Sequence, residues 1–177
     1  METENMRIYG WASVSEYLGD RIVYRNLEAQ DPRLPLLADL RQEAGLDYGS
    51  IPRKGEFPYA QVVACLLRRA RALDAPGVSL RRLVYLGDTR MSDVGAFVSI
   101  CQAGGWAGQA FIGAETSAPP FVEQLPAPDL PPGQSLFLAN RWAALADFAC
   151  RLTAMGFIVD EQTAVVIDLD KTALGAR

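Results

Sequence analysis

Two short apolar runs constrain this chain more than any other feature: Leu83-Val-Tyr-Leu86 and Ala164-Val-Val-Ile167 are each too short for a helix, and each passes directly into an acidic loop. A compact apolar run bounded by charge or glycine reads as a strand buried on both faces, as in a parallel sheet. Helical spacings fill the chain around them. Val62, Val63, Leu66, Leu67 and Ala70 recur on one face of a long helix from Phe57 to Leu73, which Asp74-Ala-Pro-Gly77 ends. Helices are also expected from Leu36 to Ala44, with Gly45 as the stop, and from Val94 to Ala103, with Gly104-Gly105 as the stop. A further helix is expected from Leu136 to Met155, closed by Gly156, and a further strand from Gln109 to Gly113. Near the start, Met6 to Ala12 reads as a strand, and Ser13-Val-Ser-Glu16 as a capping box opening a helix through Tyr17 to about Leu27. Residues 116–134 hold six of the eleven prolines and no periodicity, the pattern of a loop or linker. This alternation predicts an α/β fold, a three-layer sandwich with a mainly parallel, Rossmann-like sheet, organised as a single domain over residues 1–177.

Composition narrows the function classes. Seventeen basic against twenty-one acidic residues give a net charge of −4, which argues against a broad footprint for nucleic acid or an anionic membrane, although Arg68, Arg69, Arg71, Arg81 and Arg82 could meet a phosphate locally. No apolar run is long enough to span a bilayer, and the acidic start Met-Glu-Thr-Glu-Asn is unlike a secretory signal, so the expected location is the cytoplasm. Cys65, Cys101 and Cys150 sit in apolar settings and are expected to be buried free thiols. The absence of histidine excludes a Ser-His-Asp triad and a His-ligated zinc. Catalysis must then rest on carboxylates, Lys, Ser/Thr, Tyr or Cys, and any metal site must be rich in oxygen. Cys65-x5-Arg71 has the spacing of a cysteine-dependent phosphatase loop, but it lacks glycine and lies within the long helical pattern, where the amides are already bonded.

The chemistry is therefore sought in the two acidic loops, Gly87-Asp88-Thr-Arg-Met-Ser-Asp93 and Asp168-Leu-Asp170-Lys-Thr172. Ligands of open α/β sheets sit outside the carboxyl ends of strands, and carboxylates from two neighbouring strand ends can converge on one divalent cation. Each loop also has an ordinary structural reading, with Asp93 as the cap of the helix from Val94 and Asp168 and Asp170 as solvated turn residues.

The two loops together resemble the haloacid dehalogenase superfamily. Val165-Val-Ile-Asp168-Leu-Asp170-Lys-Thr172 is similar to its first motif, an apolar strand followed by Asp-x-Asp-x-Thr/Val. Leu83-Val-Tyr-Leu-Gly87-Asp88 with Asp93 is similar to its fourth, an apolar strand, Gly-Asp and a second Asp. The resemblance implies that Asp168 is the nucleophile that becomes an aspartyl phosphate and Asp170 the general acid and base. It further implies that Asp88 and Asp93 complete a magnesium site with Asp168 and Asp170. Lys54 matches the third-motif lysine ahead of the long helix, and Ser13, with Ser15 as an equal rival, the second-motif hydroxyl; Thr172, Lys54 and Ser13 are then the groups that bind the phosphate. The motifs run second, third, fourth, first, where the family runs first to fourth. A circular permutation keeps the site, because the family's first strand lies between the second and fourth; a chain continuing past Arg177 into a cap or further domain is the other explanation. The implied function is a magnesium-dependent phosphohydrolase acting on a phosphorylated substrate. The alternatives are a noncatalytic scaffold or regulatory domain of the same fold and, more remotely, a phosphoacceptor receiver domain.

Overall fold

A computed structural model describes residues 21–46, 49, 51–125 and 130–173. The expected strand Met6–Ala12, Ser13, Ser15 and the start of the first helix lie outside the described residues. From Arg21 the chain forms a tight turn instead of the end of a helix: Tyr24 N–H donates to the Glu28 carbonyl at 2.8 Å, Gln30 N–H donates to the Ile22 carbonyl at 2.8 Å, and Val23 bridges Ala29. Leu27 takes a left-handed backbone (φ 62°), and burial of its side chain offsets that strain.

The elements that follow are α1 (Leu37–Glu43), α2 (Phe57–Asp74), β1 (Arg82–Gly87), α3 (Arg90–Gly104), β2 (Ala107–Gly113), β3 (Val122–Leu125), β4 (Gln134–Ala139), a 3-10 turn (Trp142–Ala144), α4 (Leu145–Ala154) and β5 (Thr163–Ile167). Among the described residues the strands form one five-stranded, mostly parallel sheet in the order β3-β4-β2-β1-β5, with β3 the antiparallel member. Alternation along the strands divides the core. Leu83, Tyr85, Ala110, Ile112, Leu136 and Leu138 pack with Ala60 and Ala64 of α2 and Phe97 and Ile100 of α3. Val84, Phe111, Phe137 and Ala139 pack with Phe148 and Leu152 of α4. A third cluster seats Leu27, Leu34 and Leu40 on Val62, Cys65 and Leu66 of α2.

Four expectations are corrected. The run Ala164–Ile167 is not buried on both faces: it forms β5, at one edge of the sheet among the described residues, with Val165 49% exposed. The run from Leu136 is not one helix: its first residues form β4, and the chain re-enters a helix only at Leu145. Periodicity does not separate a buried strand from a buried helix when both are continuously apolar, and Asn140 marks the boundary by bonding a neighbouring loop. The proline-rich stretch contains β3, whose Val122 to Leu125 pairs with Ala139 to Leu136. Cys150 is exposed on the outer side of α4, whereas Cys65 and Cys101 are buried as expected. Among the described residues, no helix is long and apolar enough to cross a membrane.

Candidate active site

The register of the sheet builds the site. Leu86 pairs with Ile167, and Asp168 N–H extends that ladder by donating to the Leu86 carbonyl at 2.9 Å, so the loops after β1 and β5 leave the sheet side by side. The carboxylates of Asp88, Asp93 and Asp168 each bring an oxygen within 4.8 Å of the others.

Asp93 is the best-held of the three. It is fully buried in the first turn of α3 and folds back beneath the loop it follows. Its Oδ2 accepts the backbone N–H of Asp88 at 2.9 Å and of Thr89 at 2.7 Å. Its Oδ1 accepts the Tyr85 hydroxyl at 3.1 Å and meets the ammonium of Lys54. A carboxylate has about four lone-pair sites, so these four donors satisfy it. Gly87 makes the arrangement possible, because a Cβ there would stand 2.5 Å from Asp93 Oδ2 and 2.6 Å from its carboxyl carbon. The glycine is needed for room, not for an unusual backbone angle.

Lys54 reaches this point from the loop ahead of α2, where the Glu56 carboxylate accepts the Arg53 N–H at 2.9 Å. Its Nζ lies between Asp93 and Asp168 and donates to Asp168 Oδ1 at 2.7 Å. Burial works against the charged lysine, but the hydrogen bonds and charges of Asp168 and Asp93 together outweigh it and hold the ammonium above its ordinary pKa. The Asp168 pKa is raised as well: burial lifts it, Lys54 opposes, and the charges of Asp93 and Asp88 add to the rise. Burial also pushes the phenols of Tyr59 and Tyr85 up, and the Tyr85 hydroxyl is the one that donates to Asp93.

The remaining predicted residues are placed less tightly. Asp88 Oδ1 accepts the Thr89 hydroxyl at 3.1 Å. Asp170 is exposed and stands outside the carboxylate cluster, with an extended backbone two residues after Asp168. The turn after β5 closes through Ala173 N–H on the Asp168 carbonyl at 3.2 Å, with Lys171 left-handed (φ 60°). Thr172 Oγ1 is buried in that turn with no hydrogen-bond partner among the described residues. Lys54, Tyr59, Tyr85, Asp168 and Asp170 line a cleft that continues along apolar residues of α2 and β5.

Lys54, Asp88, Asp93 and Asp168 are thus brought together as expected, and Ser13 lies outside the described residues. Gly87 was read as part of the acidic loop without its role of leaving room for Asp93, and Tyr85 is the residue of the cluster that the sequence reading missed. A tyrosine within an aliphatic strand carried the signal, since a buried phenol needs a partner for its hydroxyl. The donor set is one of hard oxygens, which fits magnesium or calcium. Asp88 and Asp168 keep acceptor positions for an ion, whereas those of Asp93 are filled. No family model, curated protein or solved structure matches the chain.

Proposed function

We propose that this chain is a magnesium-dependent phosphohydrolase of the haloacid dehalogenase type, with a three-layer, Rossmann-like sandwich that carries the site at the carboxyl ends of β1 and β5. One observation supports this most: Lys54, separated from Asp168 by 114 positions, donates to its carboxylate while also pairing with Asp93. Lysine and carboxylates that the sequence scatters in a permuted order meet in one place, which is what a phosphate-handling site of this type requires.

In this reading an oxygen of Asp168 attacks the phosphorus of a phosphate ester. The phosphorus–oxygen bond to the leaving group breaks as the aspartyl phosphate forms, and Asp170 donates its proton to the departing oxygen. Asp170 then takes a proton from water, whose oxygen attacks the same phosphorus, and inorganic phosphate leaves with Asp168 restored. Lys54 neutralises charge on Asp168 and on the incoming phosphate, so that two anions can approach. Thr172 and Ser13 would bind phosphate oxygens. Magnesium held by Asp88 and Asp168, which keep acceptor positions, would supply further charge neutralisation. Three clustered carboxylates, two of them paired with one ammonium, leave excess negative charge, which suits a divalent cation. Three free thiols suit a cytoplasmic enzyme.

A noncatalytic domain of the same fold is the second reading, and the exposure of Asp170 outside the cluster favours it. Thermal unfolding with and without magnesium plus beryllofluoride, a mimic of the aspartyl phosphate, separates the two. The phosphohydrolase predicts a rise in Tm that Asp168→Asn abolishes, together with hydrolysis of a simple aryl phosphate that the same variant removes. A folded wild type with neither response would overturn it.

A further inference from the structure

We infer that Tyr85 is a positioning residue, whose hydroxyl sets how the Lys54 ammonium is shared between Asp93 and Asp168; for turnover this rests on the phosphohydrolase reading above. Tyr85 lies in the middle of β1, 2% exposed, with its ring tilted against Phe97 at 6.3 Å between centroids. Packing alone would be met by phenylalanine. The hydroxyl instead donates to Asp93 Oδ1 at 3.1 Å, the same oxygen that faces Lys54. Lys54 Nζ also stands 5.8 Å from the Tyr85 ring centroid, within reach of its π-face.

The physical consequence follows from competition for one oxygen. Asp93 Oδ2 is fixed by two backbone N–H groups, so the carboxylate cannot rotate to redistribute its partners. Oδ1 then has two donors, the phenol and the ammonium. With the phenol present, part of its demand is met, and Lys54 keeps its 2.7 Å bond to Asp168. Without the hydroxyl, a fully buried carboxylate oxygen is left to the ammonium alone, and a buried, underbonded anion draws its remaining donor strongly. Lys54 moves toward Asp93 and away from the nucleophile. The ring stays, so the packing and the π-contact are unchanged in Tyr85→Phe.

The chain has two lysines, Lys54 and Lys171, so 15N-lysine labelling gives two side-chain ammonium signals. Lys171 is exposed and exchanges fast, whereas the hydrogen-bonded, half-buried Lys54 gives the protected signal, which disappears in Lys54→Met. In Tyr85→Phe the Lys54 signal is expected to shift and exchange faster, and kcat for an aryl phosphate to fall about tenfold at near wild-type KM. A merely structural role would lower Tm and leave both readouts in place, which would overturn the inference. An unmoved Lys54 signal overturns it even if kcat falls, and an unmoved kcat in an active wild type does so too. If the wild type turns nothing over, the phosphohydrolase reading fails separately, and the Lys54 signal alone decides whether Tyr85 places the ammonium. Should Tyr85→Phe not fold, 3-fluorotyrosine in place of tyrosine keeps the hydroxyl as a stronger donor; the Lys54 signal must then move opposite to a lost bond, and an unchanged signal overturns the inference.

Discussion

Asp93 meets four donors with one carboxylate, and the small size of Gly87 is what lets it do so. A methyl group at position 87 would fall on that carboxylate, so Gly87→Ala must displace either the loop or Asp93. The expected cost is about 1–3 kcal/mol, the usual range for overpacking a filled site. Urea unfolding measures it, and an unchanged midpoint would show that the carboxylate has room to spare. The cysteines separate by the same local logic. Burial pushes the Cys101 thiol up to about 12 and raises Cys65 also, while Cys150 is exposed. Titration of the native protein with a thiol reagent near pH 8 should therefore modify Cys150 quickly and the other two only on unfolding; fast modification of two thiols would contradict the burial. At this scale the meeting of Asp88, Asp93, Asp168 and Lys54 was legible, because their types and order along the chain carry the pattern, whereas Asp170 stands outside the cluster. The saturation of Asp93 was not, since its donors come from a strand, a distant loop and two backbone amides.

Elements were legible where a breaker ended them. The long helix α2 and the helix α3 stop where the sequence reading places them, the second through Gly105 (φ 70°), whose conformation brings Trp106 N–H onto the Cys101 carbonyl at 2.9 Å. The start of α3 was misplaced: it begins at Arg90, because Asp93 serves from inside the first turn and not as its cap. β4 was hidden by an apolar run that continues toward α4 with no proline or glycine to divide it. Asn140 performs the division by tertiary bonding. Its Oδ1 accepts Phe121 N–H at 2.8 Å, and its Nδ2 donates to the carbonyls of Pro119 at 2.9 Å and Ala118 at 3.3 Å and to the Thr116 hydroxyl at 3.3 Å. One side chain thus ties the loop before β3 to the end of β4. Asn140→Ala is expected to cost about 1–3 kcal/mol, because one buried side chain gives up all of these hydrogen bonds at once. Hydrogen exchange at Phe121 should accelerate at the same time, and a protected Phe121 amide in the variant would mean that the loop is held by other bonds.

Over the whole molecule, the alternation of strands and helices announced the α/β class and the mostly parallel sheet, while the antiparallel β3 escaped because its pairing depends on β4, itself hidden. The assembled molecule puts its candidate chemistry at the carboxyl ends of β1 and β5 and ties the amino ends with carboxylate–guanidinium contacts. Arg82 of β1 donates to Asp160 at 2.6 Å just ahead of β5, and Gln162 N–H donates to the same carboxylate at 2.8 Å. Asp31, in the turn before α1, accepts Arg33 Nη2 at 2.7 Å, Nε at 2.9 Å and its backbone N–H at 3.0 Å, and also pairs with Arg21, which in turn reaches Asp74 at the end of α2. The Arg33 side-chain bonds hold the Asp31 carboxyl well below the usual carboxylate range, and Arg82 lowers Asp160 likewise. A carboxylate with a depressed folded-state pKa binds protons more weakly in the folded chain than in the unfolded one. Its stabilisation is complete above the ordinary value of 3.8 and is lost as pH falls toward the lowered one. Stability of the wild type should therefore decline steeply below about pH 4. The double variant Asp31→Asn/Asp160→Asn should be less stable at pH 7, with the difference shrinking as the pH is taken toward 2. Urea midpoints across that range decide the matter, and a difference that stays constant with pH would mean that the two carboxylates contribute through shape and not through charge.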